Sequence, residues 1–150
     1  MMIRIGDLFP PQFRKDFCKN HLIKGAVLRA PTEITTPPKI KLFVVWQLEE
    51  SINRIGISFI NSEITSIKST WLQALQCPLS QKNNPFLTHD SFLDCSRIHE
   101  KDLNKVRDLL VMDTEIFRGN IFPDDLLKAE EIIRDAITIE RKLKKRYGFI

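Results

Sequence analysis

The sequence predicts a mainly β protein with helices, arranged as a small antiparallel barrel with a long C-terminal helix. Two observations carry that expectation. Short apolar runs broken by Pro, Asn and Ser follow one another between residues 24 and 98, whereas a parallel fold needs a helix at almost every crossover. The last third then passes from Phe117-Arg118-Gly119-Asn120-Ile121-Phe122, a strand end with a turn at Gly119-Asn120, into Pro123-Asp124-Asp125-Leu126-Leu127, the start of a helix.

Residues 1–24 read as a basic lead-in. Pro10-Pro11 opens a short helix through Cys18, with Phe13 and Phe17 four apart on one face. Residues 24–30 form a first strand that stops at Pro31, and 32–38 a loop, since Pro37-Pro38 removes ladder donors. Lys39-Ile40-Lys41-Leu42-Phe43-Val44-Val45-Trp46 is the strongest strand: it alternates and then turns continuously apolar, as in a strand covered on both faces. Residues 49–53 turn the chain into a third strand over 54–60, where Ile55, Ile57 and Phe59 share a face.

Ile64, Ile67, Trp71, Leu72 and Leu75 recur at helical intervals, predicting a helix within 64–76 that ends at Cys77-Pro78. A polar loop over 80–85 precedes a brief strand at 86–88, and Ser91 to Ile98 reads as another strand. Residues 100–106 suit one or two helical turns and 107–112 a short strand. The closing helix is expected from about 123 to 146. It carries acids near its start and Lys142, Lys144, Lys145 and Arg146 near its end, matching the helix dipole. Leu126, Ala129, Ile133, Ala136, Ile137, Leu143 and Tyr147 trace its apolar face, interrupted by Glu140. No repeat or linker divides residues 1–150, so one domain is expected, with 1–24 as lead-in and 25–150 as barrel plus helix.

Composition bounds the function. With 150 residues, 43% hydrophobic and 28% charged, the chain can bury a core. Its 23 Lys and Arg against 19 Asp and Glu give a net charge of +4, a mild lean toward a polyanionic partner. Cys18, Cys77 and Cys95 are scattered without metal-ligand spacing and read as buried thiols of a reducing compartment, with neither metal nor cofactor. Asp7 and Pro10-Pro11 interrupt the first apolar residues, and no window approaches the roughly eighteen apolar residues of a membrane span. A cytoplasmic protein with no membrane contact is expected.

Several polar residues have both a chemical and a plain reading. Lys39 and Lys41 place cations at the head of the main strand, or simply guard it against edge pairing. Ser62 offers a hydroxyl at the end of the third strand, or caps the helix expected near Ile64. His89-Asp90 pairs an imidazole with a carboxylate, or forms a turn. Arg29, Arg97 and Arg118 sit at strand ends where a barrel could gather them around phosphate, or are solvated charges. Asp94 and Cys95 read as packing residues inside a strand. Trp46 and Trp71 could stack bases, but their apolar neighbours favour burial.

The order of short patterns resembles the MazF/PemK (Kid-like) ribonuclease toxins of bacterial toxin–antitoxin modules. It runs from a Gly-led first strand, Gly25-Ala26-Val27-Leu28, through a Pro-plus-cation entry, Pro38-Lys39, to a third strand ending in Asn61-Ser62. Ser91-Phe92-Leu93-Asp94-Cys95 follows, and then the helix entry from Gly119 to Leu127. The similarity covers about residues 24–140. It implies an SH3-like barrel of the type shared with the CcdB gyrase poisons, usually dimeric, and metal-free cleavage of single-stranded RNA by 2′-OH attack. Two positions depart from that pattern. The family's arginine at the head of the second strand is replaced by Lys39, and Asn61-Ser62 stands where a threonine is expected. A lysine supplies charge without the bidentate fork of a guanidinium.

Two functional classes follow. One is a toxin-like endoribonuclease with Lys39, Lys41, Ser62 and His89 as catalytic candidates and Arg29, Arg97 and Arg118 as RNA-binding ones. The other is an inactive barrel binding nucleic acid or a protein. A homodimer and a cognate antitoxin partner belong to the first.

Overall fold

The computed structural model describes residues 10–32, 37–63 and 69–150. Seven strands form one curled antiparallel sheet, half a barrel, with helices packed on both faces: β1 (Ala26–Thr32), β2 (Lys39–Glu49), β3 (Arg54–Asn61), β4 (Gln76–Leu79), β5 (Ser91–Asp94), β6 (His99–Asp102) and β7 (Phe117–Asn120). Their order is β4-β5-β3-β2-β1-β7. The long strand β3 pairs at its end with β5 (Ile60 opposite Leu93) and in its first half with β6 (Ile57 opposite His99). The helices are α1 (Pro11–His21), α2 (Thr70–Gln73), α3 (Leu103–Met112), α4 (Pro123–Asp135) and α5 (Arg141–Arg146).

The continuously apolar run of β2 is explained by two cores. Val44 and Trp46 point into one, with Val27, Ile60, Leu93, and Ala129 and Ile133 of α4. Phe43 and Val45 point into the other, with Leu28, Ile57, Phe59, Leu103 and Leu110 of α3, and Cys18 of α1. Alternate residues of one strand thus serve opposite layers. Helix α1 is longer than expected. Phe17 lies half-buried against Phe117 of the edge strand β7, their ring centroids 5.9 Å apart at 82°.

Several expectations fail for identifiable reasons. The first strand continues through Pro31, which sits opposite Ile40. β7 pairs only with Ala26, Val27 and Leu28, so at Pro31 that side of β1 has no ladder among the described residues, and the missing N–H is tolerated. The strand expected at 107–112 is α3: Leu103, Val106 and Leu110 are buried at helical spacing while Met112 is 65% exposed. Asp102 caps it by accepting from the Lys105 amide at 3.0 Å. Residues 100–102, read as helical, belong with His99 to β6. Residues 76–79, read as a helix end, form the edge strand β4, whose exposed Pro78 is tolerated there. Of the helix expected within 64–76, the described part is α2; residues 64–68 lie outside the described residues.

The strand from Ser91 stops at Asp94, whose Oδ1 accepts from the Ser96 amide (3.0 Å) and hydroxyl (2.5 Å) and turns the chain. No strand forms at 86–88, where the Leu87 amide closes a turn on the Asn84 carbonyl. The closing helix is two helices. Ala136 is extended (φ −66°, ψ 122°), and Thr138 donates to the Ser96 carbonyl at 2.5 Å. That break buries Ile139 and leaves Ile137 87% exposed. Residues 147 and 149 then return to the core, with Phe149 edge-on to Trp46 at 5.2 Å.

Candidate functional site

An open groove of about 540 Å³ lies at the end of the sheet where β2 begins and β3 ends. Five of the sequence-derived candidates line it: Arg29, Lys39, Lys41, Ser62 and His89. They converge because β1 and β2 run antiparallel, placing Arg29 opposite Leu42 and Lys39 opposite Thr32. The polar end of β3 and the turn before β5 complete the wall, adding Asn61, Glu63, Thr88 and Ser91, while Ile40, Leu42, Ile60 and Leu87 provide an apolar floor. Arg97 and Arg118 do not line the groove. Arg97 lies in the turn after β5, where its carbonyl accepts from Ser58 Oγ at 2.8 Å, and Arg118 is an exposed residue of β7.

Lys41 is the best-fixed cation. Its Nζ donates to Asn61 Oδ1 at 2.8 Å and stands 4.9 Å from the centre of the Phe59 ring. Partial burial lowers its pKa, the neighbouring Lys39 cation adds to this, and the Asp94 carboxylate opposes it. Lys39 is exposed at the strand head. The capping role weighed for Ser62 would fall on the helix start near Ile64, outside the described residues.

His89 differs from the expected imidazole–carboxylate pair. Its Nδ1 donates to the Asp90 backbone carbonyl at 3.0 Å, while the Asp90 carboxylate accepts from the Gln81 amide at 2.9 Å. The turn therefore fixes the tautomer and leaves Nε2 as the acceptor. Asp94 also does more than pack. Its Oδ1 takes Gln76 Nε2 at 2.8 Å besides Ser96, and Gln76 Oε1 remains buried with no partner among the described residues. Cys95 is fully buried. Trp46 is core, donating to Ser58 Oγ at 2.8 Å, but Trp71 is 54% exposed, contrary to the burial expected for it.

Sequence reasoning missed His99 altogether, because the polar run after it reads as a helix start. On β6 it is partly buried, its ring 4.7 Å from that of Phe59. Burial lowers its pKa; Asp94 opposes this, while Arg97, Lys41 and Lys101 add to it. It does not line the groove; pairing of β6 with β3 sets it beside Phe59, a long-range fact with no local signal.

Among the described residues no three His, Cys, Asp or Glu side chains gather as a metal site, and no helix is long and apolar enough to cross a membrane. The chain matches no model of a known protein family and no curated protein sequence.

Proposed function

We propose that the groove binds single-stranded RNA and cleaves it as a toxin-like endoribonuclease, without metal. The observation that carries this reading is the convergence of Arg29, Lys39 and Lys41 with Ser62 and His89 on one open groove. Three cations suit a phosphodiester backbone, and an apolar floor suits bases splayed from the strand. Arg29 bears on the departure at Lys39: a guanidinium from the adjacent strand supplies the planar fork that lysine lacks.

In the reaction the ribose 2′-oxygen loses its proton and bonds to the adjacent phosphorus. The bond from phosphorus to the 5′-oxygen breaks, and that oxygen takes up a proton. The products are a 2′,3′-cyclic phosphate and a 5′-hydroxyl. Arg29, Lys39 and Lys41 hold the phosphate and neutralise charge growing on its oxygens. Ser62 and His89 at the rim supply hydrogen bonds to the reacting ribose. An SH3-like barrel, a homodimer across the groove, a cognate antitoxin and a cytoplasmic site of action belong to the same reading.

The test is cleavage of a mixed-sequence RNA oligonucleotide, with growth arrest on induced expression in bacteria. Lys41→Ala is expected to lower the cleavage rate by about 10²–10³, and each lost phosphate contact should flatten the log–log salt dependence of binding by about 0.7. A wild-type protein that binds the oligonucleotide but leaves it intact and does not slow growth would replace this reading with the inactive binding module.

A further inference from the structure

We infer that Asn61 is a phosphate-binding residue of the groove: its side-chain amide donates to the same phosphodiester that Lys41 holds. The inference rests on the RNA-binding reading of the groove and adds a contact that none of the original candidates supplies. Two strands bring the pair together. Leu42 of β2 stands opposite Ile60 of β3, so the next positions outward, Lys41 and Asn61, face each other across the ladder. On its other side Asn61 stands opposite Phe92 of β5, which leaves its backbone held between two strands. Both side chains line the groove.

The orientation of the amide is dictated by its partner. An ammonium has three N–H donors and no acceptor. Lys41 Nζ lies 2.8 Å from Asn61 Oδ1, so the oxygen is the atom that faces it and the nitrogen faces away. Nδ2 then carries two N–H groups that bond to no described residue. The nitrogen is not enclosed either, so these donors open onto the groove that Asn61 lines.

The chemistry of the pair suits an anion. Lys41 spends one N–H on Asn61 and keeps two, with its charge held 4.9 Å from the centre of the Phe59 ring. Across a single carboxamide carbon from that contact, Nδ2 presents donors without charge. A phosphodiester offers two non-bridging oxygens, one for the ammonium and one for the amide, and hydrogen bonds to an ionised acceptor are the strong ones. The ammonium also polarises the amide through Oδ1, which makes its N–H groups better donors. Among the described residues no carboxylate pairs with either group, so both are available to a ligand.

Binding is measured with a 2′-O-methyl RNA oligonucleotide, which cannot be cleaved. Asn61→Asp keeps an oxygen for Lys41 but loses the donor, and Asn61→Leu loses the donor without adding charge. Both should melt near the wild-type temperature and bind about 10–100-fold more weakly. A series of oligonucleotides, each with one neutral methylphosphonate linkage, locates the contact. The linkage whose replacement weakens wild-type binding most should matter far less in Asn61→Leu and in Lys41→Ala. The wild-type protein gives an independent reading by nitrogen-resolved NMR. Its Asn61 side-chain N–H pair, assigned by its absence from Asn61→Asp, should shift downfield on binding. Asn61→Leu binding as tightly as wild type, or an Asn61 N–H pair unmoved by saturating oligonucleotide, overturns the inference and leaves the RNA reading standing. So does a different silent linkage in each of Asn61→Leu and Lys41→Ala, because the two groups then hold separate phosphates. Absence of binding by the wild type defeats the RNA reading and the inference together. Binding without cleavage removes only the nuclease step and leaves the phosphate contact standing.

Discussion

Replacing Gly56 by alanine tests how the C-terminal segment grips the sheet. Gly56 lies on β3, opposite Gln47 on one side and Glu100 on the other. A methyl group there would stand 2.7 Å from Cδ1 of Tyr147, 2.8 Å from Cγ and 2.9 Å from Cε1, closer than carbon atoms approach. The ring cannot simply swing away. It is 3% exposed, and its hydroxyl donates to Glu100 Oε2 at 2.7 Å, an oxygen that also takes Arg146 at 2.7 Å. Burial alone would raise the Glu100 pKa, but hydrogen bonds from Tyr147 and Arg146 overcome this and hold it below the usual carboxylate range.

Overpacking of this kind costs about 1–3 kcal/mol, and weakening a hydrogen bond to a partly exposed carboxylate adds about 1 kcal/mol. For a chain of this length, Gly56→Ala should therefore lower Tm by about 4–16 °C. Tyr147→Leu would remove much of the clash, so adding Gly56→Ala to it should cost about half as much or less, a coupling that a double-mutant cycle reads directly. Glu100 adjoins His99 on β6, so the alanine variant should also shift the His99 resonances. A Gly56→Ala protein melting within about 1 °C of wild type would refute the close packing of Tyr147 on β3.

Asn84→Ala should cost about 3 kcal/mol in urea unfolding. The buried Asn84 amide donates to Asp125 Oδ2 at 2.9 Å and to the Ser80 carbonyl at 3.0 Å, and its Oδ1 accepts from the Phe122 amide at 3.0 Å, so its loss strands buried partners at the start of α4. The three thiols should react with a disulfide reagent at pH 8 only slowly in the native protein and promptly in guanidinium. Burial, aided by Asp125, pushes Cys77 up to about 11, and burial also raises Cys18 and, further, Cys95, so little thiolate forms. Rapid reaction of all three in the native protein would contradict that burial.

What was legible in the sequence was local or periodic. The β2 pattern announced a strand covered on both faces because each layer draws on alternate residues, and Pro123 with its two following acids marked the start of α4. What was lost depended on pairing or on competition between periods. Residues 99–102 are too polar to read as a strand, and only the ladder with β3 makes them one. Arg107 to Met112 looked like a strand because four apolar residues stand together. The burial of Leu103, Val106 and Leu110 shows that a helical period governed them. The break at Ala136 was hidden for a similar reason: Ile137 and Ile139 both fit an apolar helix, yet only Ile139 reaches the core. In the groove, the charges at strand heads were visible, whereas the convergence of β1, β2, the end of β3 and the turn before β5 on one opening needed the third dimension.

The site's position follows from the sheet's two-sided burial. A strand with both faces covered has nothing to offer a ligand except where covering ends, and on β2 that point is written in the pattern. Lys39-Ile40-Lys41-Leu42 alternates, and from Phe43 onward it does not. The alternation puts Lys39 and Lys41 on the face that Phe43 and Val45 occupy further along, so Lys41 is pulled toward a core and must be compensated. Asn61, the Phe59 ring and the Asp94 carboxylate supply that compensation. A lysine kept only to discourage edge pairing needs no such support, because it gains most when it stays in water. An ammonium held half in the protein, with an amide and a ring fixing it at a groove mouth, gives up hydration in exchange for position. Position is what an anion-binding site requires, and it is why Lys41 rather than the freer Lys39 is the residue on which the proposed chemistry turns.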